Sequence, residues 1–142
     1  MTLEPGDFIA MQQLNARYST ALDDLVPDSA ARWAETFTPD GSFSLIAGDG
    51  KTIVVQASGA EELAALQLSF PDPHSTRHWF NNIVIDANDH GARMTSYIVA
   101  LIIKQAPAVI ARTGTYDDQL VCVDGAWYFS KRTLTLDPGS HV

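Results

Sequence analysis

A chain of 142 residues, 46% of them hydrophobic, has the size of one domain and enough apolar side chains for one continuous core, so residues 1–142 are expected to fold as a single unit. With 17 acidic against 9 basic residues the formal net charge is -8, which would repel a phosphate backbone or an anionic membrane and argues against nucleic acid or membrane partners. No run approaches the roughly 20 apolar residues that cross a bilayer, the best stretch, Ile98 to Ile103, stopping at Lys104. The opening MTLEPGDF carries Glu4 and Asp7 where a secretory signal would carry lysine or arginine, so a soluble, cytoplasmic protein is expected. The single cysteine, Cys122, lies in the apolar string LVCV and reads as a small buried hydrophobe.

In chain order, Asp7 is the candidate cap of a helix running to about Leu22, because Met11, Leu14, Tyr18, Ala21 and Leu22 recur at three- and four-residue steps. Pro27 and Asp28 open a second helix with Ala31, Trp33, Ala34 and Phe37 on its apolar side, and Thr38-Pro39-Asp40-Gly41 reads as the turn that stops it. Short strands follow at about Ser42 to Ile46 and Thr52 to Gln56. Ser58 and Glu61 then have the spacing of a capping box for a third helix, with Leu63, Leu66 and Phe70 inward and Pro71 and Pro73 as its end. Beyond His74 four segments, near 75–86, 92–104, 108–123 and 126–136, are rich in strand formers. Their short connections, Asn88-Asp89-His90-Gly91, Gln105-Ala106-Pro107 and Asp124-Gly125, require antiparallel neighbours. Three helices followed by a long meander predict an α+β domain, a cone in which the helices cover the concave face of one curved, mostly antiparallel sheet.

Several strings in this order resemble the SnoaL-like branch of the nuclear transport factor 2-like superfamily: Tyr18-Ser-Thr-Ala-Leu22-Asp23, Phe37-Thr-Pro-Asp-Gly-Ser-Phe43, Arg77-His78-Trp-Phe-Asn-Asn82, the Ser96-Tyr97 pair, and Gly114-Thr-Tyr116-Asp-Asp with Gly125-Ala-Trp127. The resemblance spans nearly the whole chain and implies the cone-shaped fold. The family includes polyketide cyclases, scytalone dehydratase, bile-acid dehydratases, a dehydrochlorinase and ketosteroid isomerases beside members that only bind or scaffold, so the fold does not choose a reaction. In several of its dehydratases an aspartate at the end of the first helix works with a histidine on the first long strand. Here those positions hold Asp23 and His78, and a tyrosine five residues before the aspartate matches Tyr18. The acidic residue that bile-acid dehydratases place on the next strand has no counterpart in Ile98-Val-Ala-Leu-Ile-Ile103, which counts against that chemistry.

The residues themselves allow an acid–base site. An imidazole with an ordinary pKa near 6.5 can take and return a proton at neutral pH, and a carboxylate beside it fixes its tautomer and stabilises the charged ring. Period-two geometry puts His78, Phe80, Asn82 and Val84 on one sheet face and Arg77, Trp79, Asn81 and Ile83 on the other. The alternative for His78 is a core histidine satisfied by Asn82, a serine or water, and Asp24 competes with Asp23 as its partner. Trp33, Phe37, Phe43, Phe80, Tyr97, Tyr116 and Phe129 are expected to line an apolar pocket, with Asn82 orienting the substrate. Arg112 and Arg132 read as ion-pair partners of Asp117, Asp118 and Glu35, with anion binding as the competing role. His74 and His78 have a helical metal spacing, but on a strand they would stand about 13 Å apart, so no metal is expected.

The chain is therefore expected to be a lyase or isomerase without cofactor, acting through His78, Asp23 and Tyr18 on a small apolar molecule, cyclic ones included. Its rivals are a non-catalytic module that binds a hydrophobic ligand, and an accessory subunit like the small subunit of ring-hydroxylating dioxygenases, which builds a trimer. Trp79 on the outer sheet face predicts a homodimer.

Overall fold

A computed structural model describes residues 2–70 and 75–140. The chain forms α1 (Pro5–Leu22), α2 (Ser29–Ala34), β1 (Phe37–Ile46), β2 (Ile53–Ser58), α3 (Gly59–Ser69), β3 (Thr76–Asn88), β4 (Gly91–Ile102), β5 (Val109–Val123) and β6 (Ala126–Leu136). The six strands make one sheet in the order β2-β1-β6-β5-β4-β3, antiparallel throughout except where β1 lies parallel to β6. The sheet curls around the helices without closing, since β2 and β3 remain edges. Pro71 and Pro73, expected to end α3, and His74 lie outside the described residues, as does the tail from His141.

The α+β plan follows the sequence closely, and the departures have local causes. α1 begins earlier than Asp7: Glu4 is the N-cap, Pro5 supplies a preset φ in the first turn, and Asp7 reaches back so that the Glu4 amide donates to its Oδ2 at 2.8 Å. Asp28 precedes α2 in a left-handed conformation and makes no capping hydrogen bond. At α3 the Ser58 amide donates to Glu62 at 2.8 Å, so Glu62 replaces Glu61 in the expected box. Thr38-Pro39-Asp40-Gly41 is not a helix-ending turn but part of β1, bulging between the pairs Phe37–Phe129 and Ser42–Lys131. Gly41 is required there, because a Cβ would stand 2.8 Å from that of Phe37. Cys122 is exposed, since the last residues of β5 run past the core toward the Asp124-Gly125 turn.

Met11, Leu14, Tyr18, Ala21 and Leu22 of α1 are buried against the concave sheet face, together with Trp33, Leu63 and inward residues of β1, β2, β4, β5 and β6, while the inward residues of β3 are only partly buried. Along β4 the buried side is Ala92, Met94, Ser96, Ile98 and Ala100. On β3 the alternation breaks. Register shifts between Asn81 and Val84, and Asn82 has φ +51°, so one extra residue is absorbed. His78 and Phe80 face inward before this bulge, and Ile83 and Ile85 pack on the core after it.

Candidate functional site

The end of α1 delivers a carboxylate to the start of β3. Asp23 is the C-cap residue, its amide bonded to the Ser19 carbonyl at 2.9 Å, and its side chain is only 3% exposed. Three donors hold it. The His78 amide donates to Oδ2 at 2.9 Å, Thr76 Oγ1 donates to Oδ1 at 3.1 Å, and His78 Nδ1 lies 2.5 Å from Oδ1. A carboxylate can only accept, so Nδ1 carries the proton, which leaves the Nε2 lone pair as the ring's basic site. Asp23 therefore fixes both the tautomer and the rotation of an imidazole whose side chain is 13% exposed. Asp24 follows in a left-handed conformation, φ +57°, and does not take this place. Thr76 was not singled out from sequence, though its position two residues before His78 puts it on the same strand face.

One step further inward, Tyr18 and Tyr116 meet hydroxyl to hydroxyl at 3.2 Å. Burial raises the Tyr18 phenol well above its ordinary 10 and raises Tyr116 as well, so both remain proton donors at neutral pH. Beneath them the fully buried Arg132 guanidinium lies about 4 Å from the ring centres of Tyr18, Tyr116 and Phe129 and 5.0 Å from that of Phe80. It donates to Asp118 at 3.0 and 3.2 Å and to Asn15 Oδ1 at 2.6 Å. Burial lifts the Asp118 carboxyl to about 7, against the pull of the Arg132 charge. Arg132 Nη1, Asn15 Nδ2 and Ser96 Oγ are buried without a hydrogen-bond partner. Asn15 could have been found as the polar residue in the buried stripe of α1, three positions before Tyr18.

The predicted lining divides in two. Trp33, Phe37, Phe43, Phe80, Tyr116 and Phe129 do lie inside, where with Tyr18 they form a contiguous set of ring contacts at 5.3–6.1 Å that fills much of the cone. Tyr97 and Asn82 do not. Tyr97 is 54% exposed on the outer face, because Ser96 and Ile98 are the inward residues of that stretch of β4. Asn82 is exposed in the β3 bulge and cannot satisfy His78 or orient a molecule inside the cone. Two large concavities, of about 720 and 520 Å³, lie toward the other end of β5 and on the flank of α1, and neither is lined by His78. Among the described residues no three His, Cys, Asp or Glu side chains are grouped to hold a metal ion.

The SnoaL-like domain profile matches residues 7–133. Among curated proteins no match is found. Among solved structures, a protein of unknown function with a cystatin-like fold from Nostoc punctiforme is 27% identical, with a TM-score of 0.80 over 99% of this chain and 98% of that one. A Catenulispora acidiphila protein in complex with S-DNPA is 25% identical, with a TM-score of 0.76 over 94% and 95%. A protein from Novosphingobium aromaticivorans provisionally named scytalone dehydratase is also 25% identical, with a TM-score of 0.69 over 92% and 83%.

Proposed function

We propose that this chain, which belongs to the SnoaL-like domain family, is a cofactor-independent lyase or isomerase of dehydratase or cyclase type, acting on a small, mostly apolar molecule. The observation that carries the reading is the buried Asp23 carboxylate bonded to His78 Nδ1 at 2.5 Å, which leaves Nε2 as a base. In the proposed reaction Nε2 takes a proton from a carbon acid, and Asp23 stabilises the imidazolium that forms. Tyr18, backed by Tyr116, donates a hydrogen bond to the oxygen on which negative charge gathers. His78 then returns the proton, either to another carbon, which completes an isomerisation, or to a departing hydroxyl, which leaves as water. Such a positioned base contributes about 10²- to 10⁴-fold in rate. The S-DNPA complex of the Catenulispora relative supports a small-molecule ligand, and the name of the Novosphingobium relative supports dehydration.

The test needs no knowledge of the natural substrate. Deuterium exchange into the α-carbon of 1-tetralone and 2-cyclohexenone, and loss of water from 4-hydroxy-1-tetralone, are followed by proton NMR. The wild type is expected to accelerate at least one of these reactions, with His78→Ala and Asp23→Asn about 100-fold slower or worse at little change in melting temperature. Full activity in His78→Ala would remove the assignment. The packed ring cluster favours a second reading, a binding module in which His78 only hydrogen-bonds a ligand. A ligand-induced rise in melting temperature with no product for any ligand found would support it. We also propose that the chain works as a homodimer through the outer sheet face around Trp79.

A further inference from the structure

Arg112 stands apart from the other inward cations. The register pairs His78 of β3 with Ala100 of β4, and Ala100 with Arg112 of β5, so the three form one row across the concave face. Two steps of about 5 Å each separate the outer members at the backbone, and the residue between them is an alanine. The row thus sets an imidazole and a guanidinium on either side of a single methyl group. Arg112 also acts on Tyr116, four residues along the same face, where its charge favours the phenolate.

The expected ion pair is missing. Asp117 faces outward and is held by Arg93 at 2.9 and 2.7 Å, while Asp118 is taken up by Arg132. Asp23 is engaged by His78 and Thr76. Among the described residues Arg112 has no carboxylate partner, and its Nε is buried without any hydrogen-bond acceptor. A buried guanidinium donor left unmet is costly, and in a chain with a net charge of -8 carboxylates were plentiful. An acceptor brought by the ligand resolves both facts.

We propose that Arg112 anchors a carboxylate of the substrate, so that the site takes apolar carboxylic acids whose reacting carbon lies a few bonds from the acid group, over Ala100 and against His78 Nε2. The inference rests on the acid–base reading of His78 and narrows its substrate class. Arg112 is in this role a binding and positioning residue, and it holds the anion while His78 moves the proton.

The test is made with 2-naphthoate and its uncharged counterpart 2-naphthamide on the ¹⁵N-labelled protein. The carboxylate is expected to bind about 10- to 100-fold more tightly than the amide and to shift the Arg112 Nε–H resonance, which the amide leaves in place. Arg112→Gln should abolish the preference, and Arg112→Lys should restore part of it. His78→Ala should keep it, since anchoring needs no proton transfer, and the two readings therefore fail separately. Equal affinity for acid and amide, no binding of either, or a preference that survives Arg112→Gln would each overturn the proposal.

Discussion

Tyr18 and Tyr116 hold their protons for the same reason that they pack well: each phenol is out of water, and the charged form would have to be solvated by little more than the other hydroxyl and Arg132. The native pKa of both is raised above the ordinary value of 10. Above pH 10 the unfolded chain releases these protons while the native state keeps them, so the native state binds more protons and stability must fall as pH rises. Titration at 295 nm should therefore show the phenolate signal of these two residues appearing together with loss of the near-ultraviolet circular dichroism, not before it. A Tyr18→Phe, Tyr116→Phe double variant should lose that part of the signal and unfold over a shallower alkaline slope. Early, reversible ionisation of both tyrosines in the native protein would contradict the burial argument. The same dryness suits the proposed chemistry, because a hydrogen-bond donor that stays protonated in a place of low dielectric is worth more to a developing oxyanion than one in water.

Among the elements, β3 shows how a single extra residue redirects a strand. Asn82 occupies a left-handed conformation that costs a β-branched residue energy, and it touches neither core nor site. Asn82→Val is expected to destabilise the protein by about 1–2 kcal/mol in urea unfolding, Asn82→Gly to be near neutral, and neither to affect turnover or ligand binding. A loss of activity in Asn82→Gly at unchanged stability would return Asn82 to the site. The bulge also explains what was legible. Strict alternation identified His78 and Phe80 as inward but failed past Asn81, because no local signal in Asn-Asn-Ile-Val marks which residue the ladder leaves unpaired. Asp23 was legible through the family resemblance, which marks an aspartate at the end of the first helix, whereas the residues alone left Asp24 as a competitor, because a helix terminus is uncertain by a residue. Tyr97 was not, since Tyr97, Val99 and Leu101 are as apolar as the inward Ile98 and Ala100, and a strand apolar on both sides carries no sign of its facing. Arg132 met its expected acidic partner across two paired strands, whereas Arg112 did not, a difference that depends on where Asp117 and Asp118 point and not on composition.

At the scale of the whole molecule, that doubly apolar β4 is the argument for assembly. Trp79 pairs with Val99, Asn81 with Tyr97, and Leu101 with both Arg77 and Ile110, so these side chains form one patch on the convex side of β3, β4 and β5. Trp79 is 60% exposed and Ile110 63%, more apolar surface than a single scattered side chain explains. The helices cover only the concave face, and no part of the described chain returns to cover the other. A second copy related by a two-fold axis would bury the same patch on both subunits, and a stable pair needs about 800 Å² from each. The chain is accordingly expected to sediment as a dimer at micromolar concentration. Trp79→Glu together with Ile110→Lys should give a monomer that retains the native circular dichroism and a free Nε2 on His78, since both changes lie across the sheet from Asp23. A wild type that is monomeric at 100 µM, or a double variant that remains dimeric, would assign the patch to a different partner.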